Sequence, residues 1–198
     1  MLIVTVPAES FDLVLIDDVR DALGITDSSE DENLARWISQ ASGAVAKHLN
    51  RVLAQETVME TFRLSTVTES LLLCRYPISS IVSVTEFDTA LVPTDYELHA
   101  ASGVLTRLSD DELICWSAGK IVVTYVSGFA LDDVPDEIAR AVIMLVSQYR
   151  FSGERDPQLR SETTDGAGSS SYFDGQEVGG MSPEVRGLLA DHRKPAGS

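Results

Sequence analysis

The apolar positions of this chain follow two spacings. Between about Glu30 and Asn50, Leu34, Trp37, Ile38, Ala41, Val45 and Leu49 recur at steps of three and four, which gathers them on one face of a long helix. Glu32 and Arg36 form an i,i+4 pair on the wet side. The same spacing returns after Pro135, where Ile138, Ala141, Val142, Leu145, Val146 and Tyr149 share one face. Pro135 suits a first helical turn, where a missing N–H costs nothing. Asp136 and Glu137 then oppose the positive end of the helix dipole, and Gly153 is a natural stop. Burying each larger side chain of that face would contribute roughly 1.5–3 kcal/mol. Together with the β-rich run Ile121–Val126 and the turn at Gly128, this helix reads as a strand–turn–helix core unit. A shorter helix, Asp17 to Gly24, is expected to be capped by Asp17 and ended by Gly24.

Between the long helices the period changes. Thr57–Leu64, Leu71–Cys74, Ile81–Phe87, Asp95–Leu98, Val104–Leu108, Leu113–Trp116 and Ile121–Val126 alternate or run apolar, with turn residues between them. Tyr76-Pro77-Ile78 makes a bend. Such short strands predict an antiparallel sheet or small barrel inserted between two helices. Residues 1–14 are apolar but short, suited to an edge strand or an arm. The fold class is therefore α+β: two main helices packed with an inserted antiparallel β-sheet. The expected organisation is a core over 1–151, with the β insertion at about 54–126, and an extended arm over 152–198.

The arm differs in kind. Over residues 152–180 it is rich in Gly and Ser and poor in apolar side chains, too poor to offset its own ordering entropy. The segment is thus expected to be disordered, or ordered by a partner. Ser182-Pro183-Glu184 then opens a short helix, about 183–192. Val185, Leu188, Leu189 and His192 line one face of it, and Arg193-Lys194 sit at its negative end before Pro195. So short a helix is marginal alone. It either folds back on its own domain or docks on another chain.

Charge narrows the function. Among 198 residues, 31 acids oppose 15 bases, for a formal net charge of −16. Gripping nucleic acid by its phosphates needs clustered Lys and Arg, so that class is disfavoured. The acidity otherwise serves solubility. The two cysteines, Cys74 and Cys115, have no metal-type spacing and read as buried, reduced thiols. The first residues lack the basic start and long apolar run of a signal peptide, and no stretch approaches a membrane span. Synthesis and residence in a cytoplasm are expected, unless the protein leaves inside a larger assembly.

Candidate chemistry is sparse. The paired acids Asp17-Asp18, Asp110-Asp111 and Asp132-Asp133 each lie beside a predicted helix or turn, where capping and solvation account for them. His48, His99 and His192 are far apart in sequence, and His48 reads as a packed or solvated histidine. There is no phosphate-loop motif and no nucleophile elbow. Gly166-Ala167-Gly168 lies in the loose arm, so a nucleotide reading is weak. No catalytic residue, metal site or cofactor is expected.

Several stretches together resemble the head–tail connector, or adaptor, proteins of tailed phages and of the phage-derived gene transfer agents. They are Leu15–Ile25 with Leu34–Ala41, then Val45–Leu53, then Tyr76–Val84, and Tyr125–Phe129 running into Val134-Pro135. Met181-Ser182-Pro183 to Arg193 looks like the closing segment of such proteins. The resemblance implies a structural protein of the virion or phage-like particle, made in a bacterial cytoplasm. It implies a ring under the portal protein, dodecameric to match the portal, that extends the DNA channel and meets a stopper or other tail-joining protein. DNA would pass through without specific binding, eased by carboxylates lining the lumen. Val185, Leu188, Leu189, His192 and Arg193 would then contact the portal or a neighbouring subunit. The alternative is a small host binding domain, or an unrecognised hydrolase with the arm as a flexible lid.

Overall fold

Alternating burial along residues 119–127 marks the first of two structural units. The computed structural model describes residues 1–153, 161–164, 168–171 and 181–194. Contacts divide the chain into residues 1–10 with 52–133, and residues 11–51 with 134–198. The strand–turn–helix expected as one core unit is thus shared out: its strand belongs to the first unit and its helix to the second.

The first unit holds β1 (Leu2–Val6), β2 (Glu56–Leu64), β3 (Ser70–Leu72), β4 (Ile78–Glu86), β5 (Thr89–Ala90), β6 (Tyr96–His99), β7 (Val104–Ser109), β8 (Glu112–Ile114) and β9 (Gly119–Ser127). They form two antiparallel sheets rather than one. The order is β1-β2-β9-β4-β5 in the larger and β3-β7-β6 in the smaller, with β8 also on β7. In β9, Ile121, Val123 and Tyr125 point inward and join Val58, Leu105 and Trp116 in one core. The Trp116 indole donates to the Leu105 carbonyl at 3.1 Å, so its one polar atom is satisfied. Residues 2–6 are an edge strand, as one of the two sequence alternatives has it. Asp110 and Asp111, both at positive φ (52° and 68°), make the tight turn between β7 and β8.

Two acids on the inner face of β2 escape sequence reasoning. Glu56 and Glu60 are 6% and 3% exposed, yet both are partnered. Glu56 pairs with Arg75. Glu60 accepts from the Tyr125 hydroxyl at 2.9 Å and the Cys74 amide at 3.0 Å. The Arg75 amide in turn donates to the Tyr125 oxygen at 3.3 Å. Burial, then the Glu60 charge, pushes the Tyr125 pKa strongly up, so the phenol stays a donor. This network ties the segment after β3 to the large sheet. Cys74 itself is exposed, as is Cys115, contrary to the expectation of buried thiols. Both alternate with inward neighbours, Leu73 and Trp116, and so point outward.

Gly128 sits where the two ends of the β segment meet. Its φ is +88°, and a Cβ there would come within 2.4 Å of the Ala54 carbonyl oxygen. Phe129 N–H donates to Leu53 O at 2.7 Å, and Gly128 N–H to Pro77 O at 2.9 Å. Glycine is required for this close backbone approach as well as for the turn.

The second unit holds α1 (Ile16–Leu23), α2 (Asp31–Leu49), α3 (Asp136–Gly153), β10 (Ser161–Thr164), β11 (Gly168–Ser171) and α4 (Pro183–Leu189). On α2, Leu34, Ile38, Ala41, Val45 and Leu49 are buried, and on α3 Ile138, Ala141, Val142, Leu145 and Val146. Trp37 and Tyr149 are half-buried at the margins. The helices run antiparallel: Arg150, late in α3, donates to both oxygens of Glu30, at the start of α2, at 2.9 and 2.8 Å. Gly24 ends α1 in the left-handed conformation at φ 67°, as read from sequence. Asp17 does not cap α1; the cap position is Leu15, and Asp17 lies in the first turn bonded to Arg20 at 2.7 Å. Arg20 also binds Asp31, joining α1 to α2. Arg36 donates to Asn33 Oδ1 at 2.8 Å rather than pairing with Glu32. The arm is described only in part; β10 and β11 form an antiparallel pair. The Gly166-Ala167 part of the weak glycine motif lies outside the described residues, as does most of the segment expected to need a partner.

Tyr125→Phe keeps the ring but removes a buried hydrogen-bond node. It is expected to lower unfolding stability by about 1–3 kcal/mol, read as a reduced urea midpoint at unchanged m-value.

Candidate functional site

Short helices are held by what their apolar face covers, and α4 is a clear instance. Ser182 caps it: the Oγ accepts from Val185 N–H at 3.3 Å, and Pro183 follows in the first turn. Met181, Val185 and Leu189 are 5%, 0% and 0% exposed. Each adds roughly 1.5–3 kcal/mol of burial, which a seven-residue helix needs. The segment folds back on its own helical unit, one of the two alternatives open from sequence. Two hydrogen bonds lock its end: Lys194 N–H donates to Leu49 O at 3.0 Å, and the Arg51 guanidinium donates to the His192 carbonyl. These use carbonyls that a helix C-terminus otherwise leaves unmet.

The five residues expected at a partner contact therefore separate. Val185 and Leu189 lie in the chain's own core. Leu188 and His192 are half-buried, and Arg193 is exposed. His192 Nε2 stands 3.8 Å from a Glu137 carboxylate oxygen on α3. Sequence reasoning places Met181 and Arg51 in stretches that carry the resemblance but gives neither a role. Met181 precedes the cap in a position that looks like linker, and Arg51 follows the helix it serves.

The end of α2 is basic. Lys47, Arg51, Arg186, Arg193 and Lys194 gather there, although they come from two stretches far apart in sequence. His48 records the potential. Burial first, then the charges of Arg193 and Arg186, hold its pKa below the usual histidine value. The other histidine, His99, bonds Ser102 Oγ at 2.6 Å in the β unit. Asp17 is engaged by Arg20, and Asp132-Asp133 lie in a short 3-10 turn. The paired acids serve turns and helix starts.

Comparison with known proteins follows this geometry. A family model described as head completion protein matches residues 12–195. A search of curated proteins finds no match. Among solved structures, a chain in the neck of an empty gene transfer agent particle computed with sixfold symmetry is 17% identical, with a TM-score of 0.59. One in the neck of a native particle computed with twelvefold symmetry is 16% identical, with a TM-score of 0.57. One in the virion of a native gene transfer agent particle is 16% identical, with a TM-score of 0.60. Each alignment covers 100% of this chain and 98% of the other. They share its fold.

Leu189→Ala is expected to cost about 2–5 kcal/mol and Leu188→Ala under about 1.5 kcal/mol in urea unfolding. Equal losses would mean that α4 does not dock as described. His48 binds its proton more weakly folded than unfolded, so its contribution is complete above the unfolded value near 6.5 and is lost as pH falls below it. His48→Gln should therefore flatten the decline in melting temperature from pH 7 to 5.

Proposed function

This chain belongs to the head completion protein family, and from that premise we propose that it is a structural head–tail adaptor of a tailed phage or gene transfer agent, with no catalytic role. One observation carries the reading. The family match runs from residue 12 to 195 and takes in both units and α4, leaving out only the edge strand β1 among the described elements. The full-length likeness to chains from particle necks and a virion supports a location at the head–tail joint.

In this proposal the chain forms a ring under the portal protein, twelve copies in number, as the twelvefold neck suggests. The ring extends the DNA channel and offers a surface to a stopper or other tail-joining protein. Such a ring is built from heterologous contacts, one patch meeting a different patch on the next copy. The net charge of −16 favours a lumen from which DNA phosphates are repelled, so the genome slides without specific binding. Contact with the portal or a neighbour passes to Leu188, His192 and Arg193, while Val185 and Leu189 hold the helix that presents them.

The test is electron microscopy of lysates from a producing strain lacking this gene, beside the complemented strain. Heads and tails lying apart, restored to joined particles on complementation, are the expected result. Intact particles in normal number would reject the adaptor.

A further inference from the structure

The charges of the helical unit are sorted along α2. At its start lie Asp17, Asp18, Asp21, Asp27, Glu30, Asp31 and Glu32, against Arg20, Arg36 and Arg150. At its other end lie Lys47, Arg51, Arg140, Arg186, Arg193 and Lys194, against Asp136, Glu137, Glu184 and Asp191. The 19 residues of α2 hold these ends about 28 Å apart, at about 1.5 Å per residue. One end is net acidic and the other net basic, in a chain whose overall balance is strongly acidic.

The basic end is also short of ion-pair partners. Arg20, Arg75, Arg107, Lys120 and Arg150 are each ion-paired within their own unit, while Arg36, Arg63 and Arg140 make no ion pair among the described residues. Among the described residues Lys47, Arg186 and Arg193 make no ion pair, and Arg186 Nε is enclosed without a hydrogen-bond partner. Lys47 and Arg193 are exposed. At the acidic end Asp18, Asp21 and Glu32 are likewise exposed and unpaired among the described residues.

We propose that the basic end of one copy, at Lys47 and Arg193, docks on the acidic end of the next copy, at Asp18 and Asp21. The occupant is a second copy of this chain because the complementary charge is on the chain itself. The two ends lie at opposite limits of one helix, so one copy cannot satisfy itself, and head-to-tail contacts of this kind close into rings. Opposed potentials also steer assembly and set register. The inference rests on the ring reading above and specifies its subunit contact.

Charge exchange tests it in the producing strain. Lys47→Glu with Arg193→Glu gives one variant, and Asp18→Lys with Asp21→Lys another; a third chain carries all four. Each purified chain is first melted, and a melting temperature near wild type confirms folding. Each pair of reversals alone is expected to reduce joined particles roughly tenfold or more, and the fourfold exchange, or coexpression of the two variants, to restore them. Joining that persists through both reversals overturns the end-to-end contact and leaves the adaptor standing. Loss without recovery in the fourfold exchange, with folding intact, also overturns it. If deleting the whole gene leaves particles joined, the adaptor reading itself fails.

Discussion

The junction of residues 53–54 with 128–129 makes the rest of the architecture attainable. The β segment interrupts the helical unit in sequence, so α2 and α3 are separated by a long stretch of chain. Bringing such distant segments together costs loop-closure entropy, which grows slowly with length but is never zero. The bond from Phe129 N–H to Leu53 O, at 2.7 Å, closes that stretch at its base. Gly128 permits it, since any side chain there would collide with the backbone of Ala54. With the base closed, the two apolar helix faces become close in the chain's effective connectivity. Their seam of Leu, Ile, Val and Ala then supplies the hydrophobic term of the helical unit.

The helices were legible because their signal is long and periodic. Every larger apolar residue placed on the α3 face, from Ile138 to Val146, is buried. The strands were legible in kind but not in arrangement. Short antiparallel strands record which residues face inward, while the partner of each strand depends on nonlocal pairing. That is why the sequence predicts an antiparallel sheet or small barrel without showing that the inserted strands divide into two sheets. The buried acids were hidden for a related reason. Glu56 and Glu60 look like the wet positions of an alternating strand, and only the fold brings Arg75 and Tyr125 to them. The cysteines were misjudged because type-average burial says nothing about which way a residue alternates.

The C-terminal helix shows how far local pattern goes. Its cap, proline and apolar spacing are readable from residues 181–189, and the helix forms there. What covers its apolar face is not encoded locally. The helix packs on α3, and Val185 and Leu189 are completely buried. A segment can therefore carry a partner-binding signature and spend most of it on its own domain. In the proposed adaptor, what remains for a partner is the flank, Leu188, His192 and Arg193, and the charge around it.

Charge is also where a simpler explanation competes. Acids near a helix start and bases near its end each stabilise the helix by about 0.3–1 kcal/mol through its dipole. That accounts for Asp31, Glu32 and Lys47, which belong to α2. It does not account for Arg193 and Lys194, which arrive from another segment and are pinned there by the Lys194–Leu49 backbone bond. Nor does stability favour crowding Arg193 beside His48, whose proton affinity is lowered first by burial and then by the Arg193 and Arg186 charges. In the proposed ring, repulsion of this kind inside one folded chain is offset when the charge is met outside it. The acidic end of a second copy satisfies it with residues already present in every subunit.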